Sequence, residues 1–158
     1  MNPTALLQAQ FSTLLAEVSG QLERFVRLLE DEHELLVTGQ IEALLGLAED
    51  KSAAVRQLQQ AENARALLLS RSGIDARASQ MAEFIAQLPE QTQRAWRQYL
   101  DLAARAQQLN LRNGEFIRDQ LRANQQAMSV LLASTGPSLY DAGGITSTRP
   151  GGRLFGQA

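Results

Sequence analysis

The stretch from Glu90 to Ala133 contains no proline and a single glycine, Gly114, and it repeats every seven residues through Trp96, Ala103, Asn110, Ile117, Asn124 and Leu131, with Leu100, Leu121 and Met128 beside them. Proline and glycine are the residues that end helices, and a seven-residue apolar repeat is the period of helices that pack lengthwise on one another. One long helix is therefore expected here, reaching about 65 Å at 1.5 Å per residue.

The amino-terminal region repeats the pattern. Leu7, Leu14, Leu28 and Leu35 form one column, flanked by Phe11, Val18 and Phe25 and by Leu15, Leu22, Leu29 and Leu36. On a helix from about Thr4 to Val37 these columns make one stripe roughly 100° wide. Thr4, after Pro3, is placed to cap its start, and Gly39 stands where it must bend or end. A second helix is expected from about Gln40 to Ser70, carrying Ile41, Leu44, Leu45, Leu47, Val55, Leu58 and Leu67 to Leu69. It is either separate from the first or continuous with it through a kink at Thr38-Gly39. Ser72-Gly73 breaks the pattern, and Ile74, Met81, Phe84, Ile85 and Leu88 mark a shorter helix. Pro89 either stops that helix at Leu88 or opens the next one.

These elements predict an all-α fold, an elongated, coiled-coil-like bundle with its long helices antiparallel, spanning residues 1–134. Past Ser134 the composition changes: six of the eleven glycines and two of the four prolines fall between Gly136 and Ala158, with Asp141 the only acid. Residues 135–158 are expected to form a flexible tail, since such a segment buries too little apolar surface to offset its ordering entropy. It keeps Leu139, Tyr140, Ile145, Leu154 and Phe155, which suits a tail that orders on a partner.

Charge and motifs exclude several function classes. A net charge of -2, with 15 basic and 17 acidic residues and no basic run, gives no attraction for a phosphate backbone. The charges, 14 of the bases being Arg and Lys51 the sole Lys, read as a solvated face. There is no cysteine, so no disulfide and no thiolate chemistry. The start, Met1-Asn2-Pro3-Thr4, lacks the basic region of a secretion signal, and the apolar run Ala66 to Leu69 is far below the ~20 residues that span a bilayer. A cytoplasmic chain without membrane insertion is expected.

Glu30 and His33 have the i, i+3 spacing of carboxylate-bridged metal sites, but His33 is the only histidine and the second half of such a site cannot be assembled. Glu30 to Glu34 therefore reads as an acidic turn facing water. No phosphate-binding glycine loop and no nucleophile paired with a base is visible, so neither enzyme chemistry nor a cofactor is expected.

Asn110, Asn113 and Asn124 lie on the face of Trp96, Ile117 and Leu131. In a closed seam they would fix the register between helices. In an open one they would line a groove for a partner helix, with Ile117, Leu121, Met128 and Leu131 as anchors.

The run Leu35-Leu36-Val37-Thr38-Gly39-Gln40-Ile41-Glu42-Ala43-Leu44-Leu45, followed by Glu49 and Lys51, resembles the amino-terminal half of FlgN proteins. Asn110-Leu111-Arg112-Asn113-Gly114-Glu115-Phe116-Ile117, then Asn124, Leu131-Leu132, Tyr140 and Gly143-Gly144, is similar to the family's Asn-x-x-Asn-Gly helix and Tyr-x-x-x-Gly tail. The resemblance implies a chaperone of flagellar type III export whose clients are the hook-filament junction proteins FlgK and FlgL. It implies that the carboxyl-terminal region binds the client, which directs attention to Asn110, Asn113, Ile117, Leu121, Asn124, Met128 and Leu131, and that Tyr140 meets the export-gate protein FlhA. The competing expectation is a non-enzymatic coiled-coil adaptor whose stripes serve only assembly.

Overall fold

The computed structural model describes residues 2–75 and 79–135. Among them the regular elements are four helices: α1 (Pro3–Thr38), α2 (Ile41–Arg71), α3 (Ser79–Ala86) and α4 (Glu90–Thr135). The chain divides into two units, Met1–Ile117 and Arg118–Ala158, with the division inside α4.

Local chemistry sets the helix ends. Asn2, not Thr4, caps α1: its Oδ1 accepts from the Thr4 backbone N–H at 3.2 Å while Pro3 takes the first helical position, where its missing donor costs nothing. Gly39 ends α1 in the left-handed region at φ 70°. Its N–H reaches the Leu36 carbonyl at 3.3 Å and that of Gln40 reaches Leu35 at 3.0 Å, the pairing of a Schellman turn. Helices one and two are thus separate. Pro89 neither closes α3 nor opens α4 from its first turn. It sits just outside α4, and its carbonyl takes the first helical bond from Gln93 N–H at 3.0 Å. Gln93 also donates to the Ala86 and Leu88 carbonyls at 3.2 and 2.8 Å, satisfying acceptors that the end of α3 leaves open.

Within the first unit the cross-links fix direction. Arg24 meets Gln57 and Glu32 meets Lys51, so α2 runs antiparallel to α1. Glu62 meets Tyr99 and Lys51 meets Asn110, so α4 runs antiparallel to α2. Phe11 meets Trp96 and Leu29 meets Asn113, so α4 runs parallel to α1, while each long helix is antiparallel to the one before it, as expected. A third long helix that reverses the second must follow the first, and α3, with only 8 residues, is too short to add a reversal.

The core contains Phe11, Leu15, Val18, Leu22, Val26 and Leu29 of α1, Ala54, Ala61 and Leu69 of α2, Met81 and Phe84 of α3, and Leu88, Tyr99 and Ala106. Phe11 anchors one end, edge-on to Phe84 at 5.1 Å and 6.0 Å from Trp96. The buried column of α4 is Thr92, Tyr99, Ala106 and Asn113, one turn round from the expected column of Trp96, Ala103 and Asn110, which flanks it. Among the described residues no helix is long and apolar enough to cross a membrane.

Candidate functional site

Two polar clusters interrupt the apolar seams of the bundle. In the column of α2 that faces α4, Leu44 and Leu58 alternate with Lys51 and Arg65, so two cations lie where heptad spacing calls for apolar residues. Each is paired. Arg65 holds Glu62 at 2.8 Å and stacks over the rings of Trp96 and Tyr99, 5.4 Å from either centroid. Tyr99 donates its hydroxyl to Glu62. Burial first, and then the Glu62 carboxylate, push the Tyr99 phenol up to about 12.

The second cluster joins three helices. Lys51 Nζ donates to both oxygens of Glu32 at 3.1 Å and, at 3.4 Å, to Asn110 Oδ1. Asn113, only 1% exposed, donates through Nδ2 to the Leu29 carbonyl and to Glu32 Oε1, both at 2.9 Å. Those partners can only accept, which fixes the amide orientation and leaves Asn113 Oδ1 to accept from His33 Nδ1 at 3.0 Å. His33 therefore carries a proton on Nδ1. Glu30 pairs with Arg105.

This corrects the reading of Glu30 to Glu34 as a turn facing water for three of its residues, while Asp31 and Glu34 are exposed as expected. Glu30, Glu32 and His33 point at α2 and α4 and are used in register. Lys51 and Arg65, whose side chains are 25% and 13% exposed, also depart from the reading of the bases as a solvated face, which Arg94, Arg105 and Arg122 follow. The sequence signal was present: Lys51 lies seven residues after Leu44 and seven before Leu58.

The candidate residues consequently separate. Asn113 is spent on the bundle's own register. Asn110 is exposed and only lightly engaged by Lys51. Ile117, at the end of the first unit, is 48% exposed. In the second unit every described side chain from Arg118 to Ser134 is exposed, including Leu121 and Leu131 at 57%, Met128 at 56%, and also Val130 and Leu132. Leu121 and Met128 are seven apart, as are Asn124 and Leu131, so these four share one helical face. Leu111, Val130 and Leu132 were absent from the expected set; Leu111 stands between Asn110 and Arg112, and Val130 and Leu132 flank Leu131 in a short apolar run. Thr135, the first residue of the expected tail, ends α4, and Tyr140 lies outside the described residues with the rest of 136–158.

The exposed apolar side chains of this helix face offer van der Waals anchors to whatever covers them. Among the described residues no group of three or more His, Asp or Glu is placed to hold a metal ion.

The chain is similar to the flagella synthesis protein FlgN of Proteus mirabilis, with 29% identity over 127 residues, covering 79% of this chain and 82% of that protein. It is likewise similar to the flagella synthesis protein FlgN of Yersinia enterocolitica, with 28% identity over 137 residues, covering 85% and 88%. No solved structure matches it. The FlgN protein family model matches residues 1–148, nearly the whole chain and all four helices, and the chain belongs to the FlgN family.

Proposed function

We propose that this chain is a cytoplasmic chaperone of flagellar type III export that binds the hook-filament junction proteins FlgK and FlgL, prevents their premature assembly and delivers them to the export gate. The observation that carries the reading is the exposed face of α4 in the second unit of a chain of this family, Leu121, Asn124, Met128 and Leu131; Asn110 and Ile117 are likewise exposed in the first unit. An apolar stripe of this kind is complementary to an amphipathic client helix, which self-associates unless something covers it. Covering it needs no covalent step and no cofactor. Tyr140, in the segment after α4, is assigned the contact with FlhA, and Asn113 supports the surface by holding α4 to α1.

A pull-down from cytoplasm tests this with the full chain, a chain ending at Ser134, and the double variant Leu121→Asp/Leu131→Asp. Both leucines are exposed, so the variant should keep its helical circular dichroism. FlgK and FlgL are expected with the full chain and lost with the double variant. Equal recovery by the double variant refutes the assigned face. The alternative, a coiled-coil adaptor, predicts self-association through the same stripe and no effect of Tyr140→Ala on export.

A further inference from the structure

Resting on that reading, we infer that Asn124 selects the partner: the helix received by this face presents a hydrogen-bonding side chain, Asn or Gln, opposite Asn124, between apolar residues that meet Leu121 and Met128. The face is apolar before and after this point, with Leu121 below and Met128 and Leu131 above, all more than half exposed. Asn124 stands between them, exposed, and its amide makes no hydrogen bond among the described residues. Once a helix covers the face, that amide leaves water. An apolar residue opposite it strands a donor and an acceptor, whereas an amide opposite it satisfies both. A single asparagine in an apolar seam fixes register in this way, because sliding the partner by one heptad step or one turn breaks the pair.

The charges around the face narrow the partner further. Residues 123–135 carry no charge at all, while Arg118 and Arg122 stand at the other end of the same segment. Arg122 has only a loose exposed pair with Asp119 at 3.7 Å, and Arg118 has no ion pair among the described residues. The occupant that fits is an amphipathic helix with carboxylates at the end beside the arginines and uncharged polar residues elsewhere. A basic helix would set like charges together.

The test uses the full chain and fluorescently labelled amphipathic peptides with leucines at the seam positions, Glu as their only charged residue, and either Asn or Leu at the central seam position. The Asn peptide is expected to bind on the order of tenfold more tightly than the Leu peptide. With Asn124→Leu the order reverses, because the amide of the Asn peptide is then the one left unpaired. Peptides with Lys in place of Glu bind several-fold more weakly, and equal binding overturns the acidic occupant. If both central residues bind the native chain equally and Asn124→Leu changes neither, the role of Asn124 is refuted while the face stands. If neither peptide binds, the face itself is refuted. A dimer that Leu121→Asp dissolves gives the stripe to a second copy and overturns the assignment.

Discussion

Replacing Asn113 by alanine should destabilise the bundle by about 2–4 kcal/mol, although the change removes only a few atoms. The side chain makes three hydrogen bonds, to the Leu29 carbonyl, Glu32 and His33, and is 1% exposed. A neutral hydrogen bond contributes about 1 kcal/mol net and one to a charged group about 1.5–3. The sum is discounted because the Glu32 carboxylate keeps Lys51, and the region near His33 admits water. Asn110→Ala is the control three residues away: it removes one exposed contact of 3.4 Å and should cost less than ~0.5 kcal/mol. Urea unfolding followed by circular dichroism measures both. The Asn113 variant should lose midpoint at unchanged slope, and its melting temperature should fall by about 10 °C. Asn113→Asp sharpens the point, because it sets a carboxylate against Glu32 and a carbonyl. It should be worse than alanine at pH 7 and recover as pH falls, since the introduced carboxyl is then protonated and donates. Equal, small effects of the two alanine variants would refute the claim that the cluster sets the register of α4.

Tyr99 makes stability depend on alkaline pH. Its folded value, about 12, lies above the ordinary 10, so the stabilisation is complete below pH 10 and is lost as pH rises toward 12, by at most about 3 kcal/mol. Tyr99→Phe should flatten that fall in a pH series of urea midpoints, and an unchanged slope would exclude Tyr99 as its source. Gly39→Ala should cost about 1 kcal/mol: nothing lies within 4 Å of the added methyl, so only the positive φ opposes it, and a neutral result in thermal melts would show that the turn relaxes freely. Leu121→Asp/Leu131→Asp should change the unfolding free energy measured in urea by less than ~0.5 kcal/mol, and a larger loss would mean those leucines support the fold.

How much of this was legible in the sequence depends on how polar the buried residues are. The stripe of α1 was readable because its core positions are Phe, Leu and Val at regular spacing. The seam of α4 was traced along the neighbouring column, although Asn113 was placed on the same face, because the buried column, Thr92, Tyr99, Ala106 and Asn113, holds no large aliphatic residue, while the flanking column offers Trp96 and Ile117. Periodicity weighs residues by transfer free energy, and it cannot value an asparagine whose burial is compensated by three partners. The same blindness assigned Lys51 and Arg65 to solvent. The direction of α4 relative to α1 follows from the number of chain reversals rather than from any pattern.

The exposed leucines of α4 show the converse: Leu121, Met128 and Leu131 repeat as regularly as the core of α1, and periodicity alone cannot tell a filled seam from an open one. The polar residues can. Where the seam is filled, each asparagine or cation has its partners within the bundle: Lys51 has Glu32, Arg65 has Glu62, and Asn113 has Leu29, Glu32 and His33. Where it is open, Asn124 has none among the described residues. The positions by which the chain resembles its family divide along the same line. Lys51 and Asn113 belong to the cluster that holds α4 against α1 and α2, with Asn110 exposed at its edge, so Lys51 and Asn113 report the bundle. Asn124 and Leu131 are exposed and belong neither to the core nor to that cluster, so their place in the resemblance is not explained by the fold. A substitution at Lys51 or Asn113 should therefore act on client binding only as far as it unfolds the bundle. At Asn124 the opposite should hold: binding changes while the melting curve does not move.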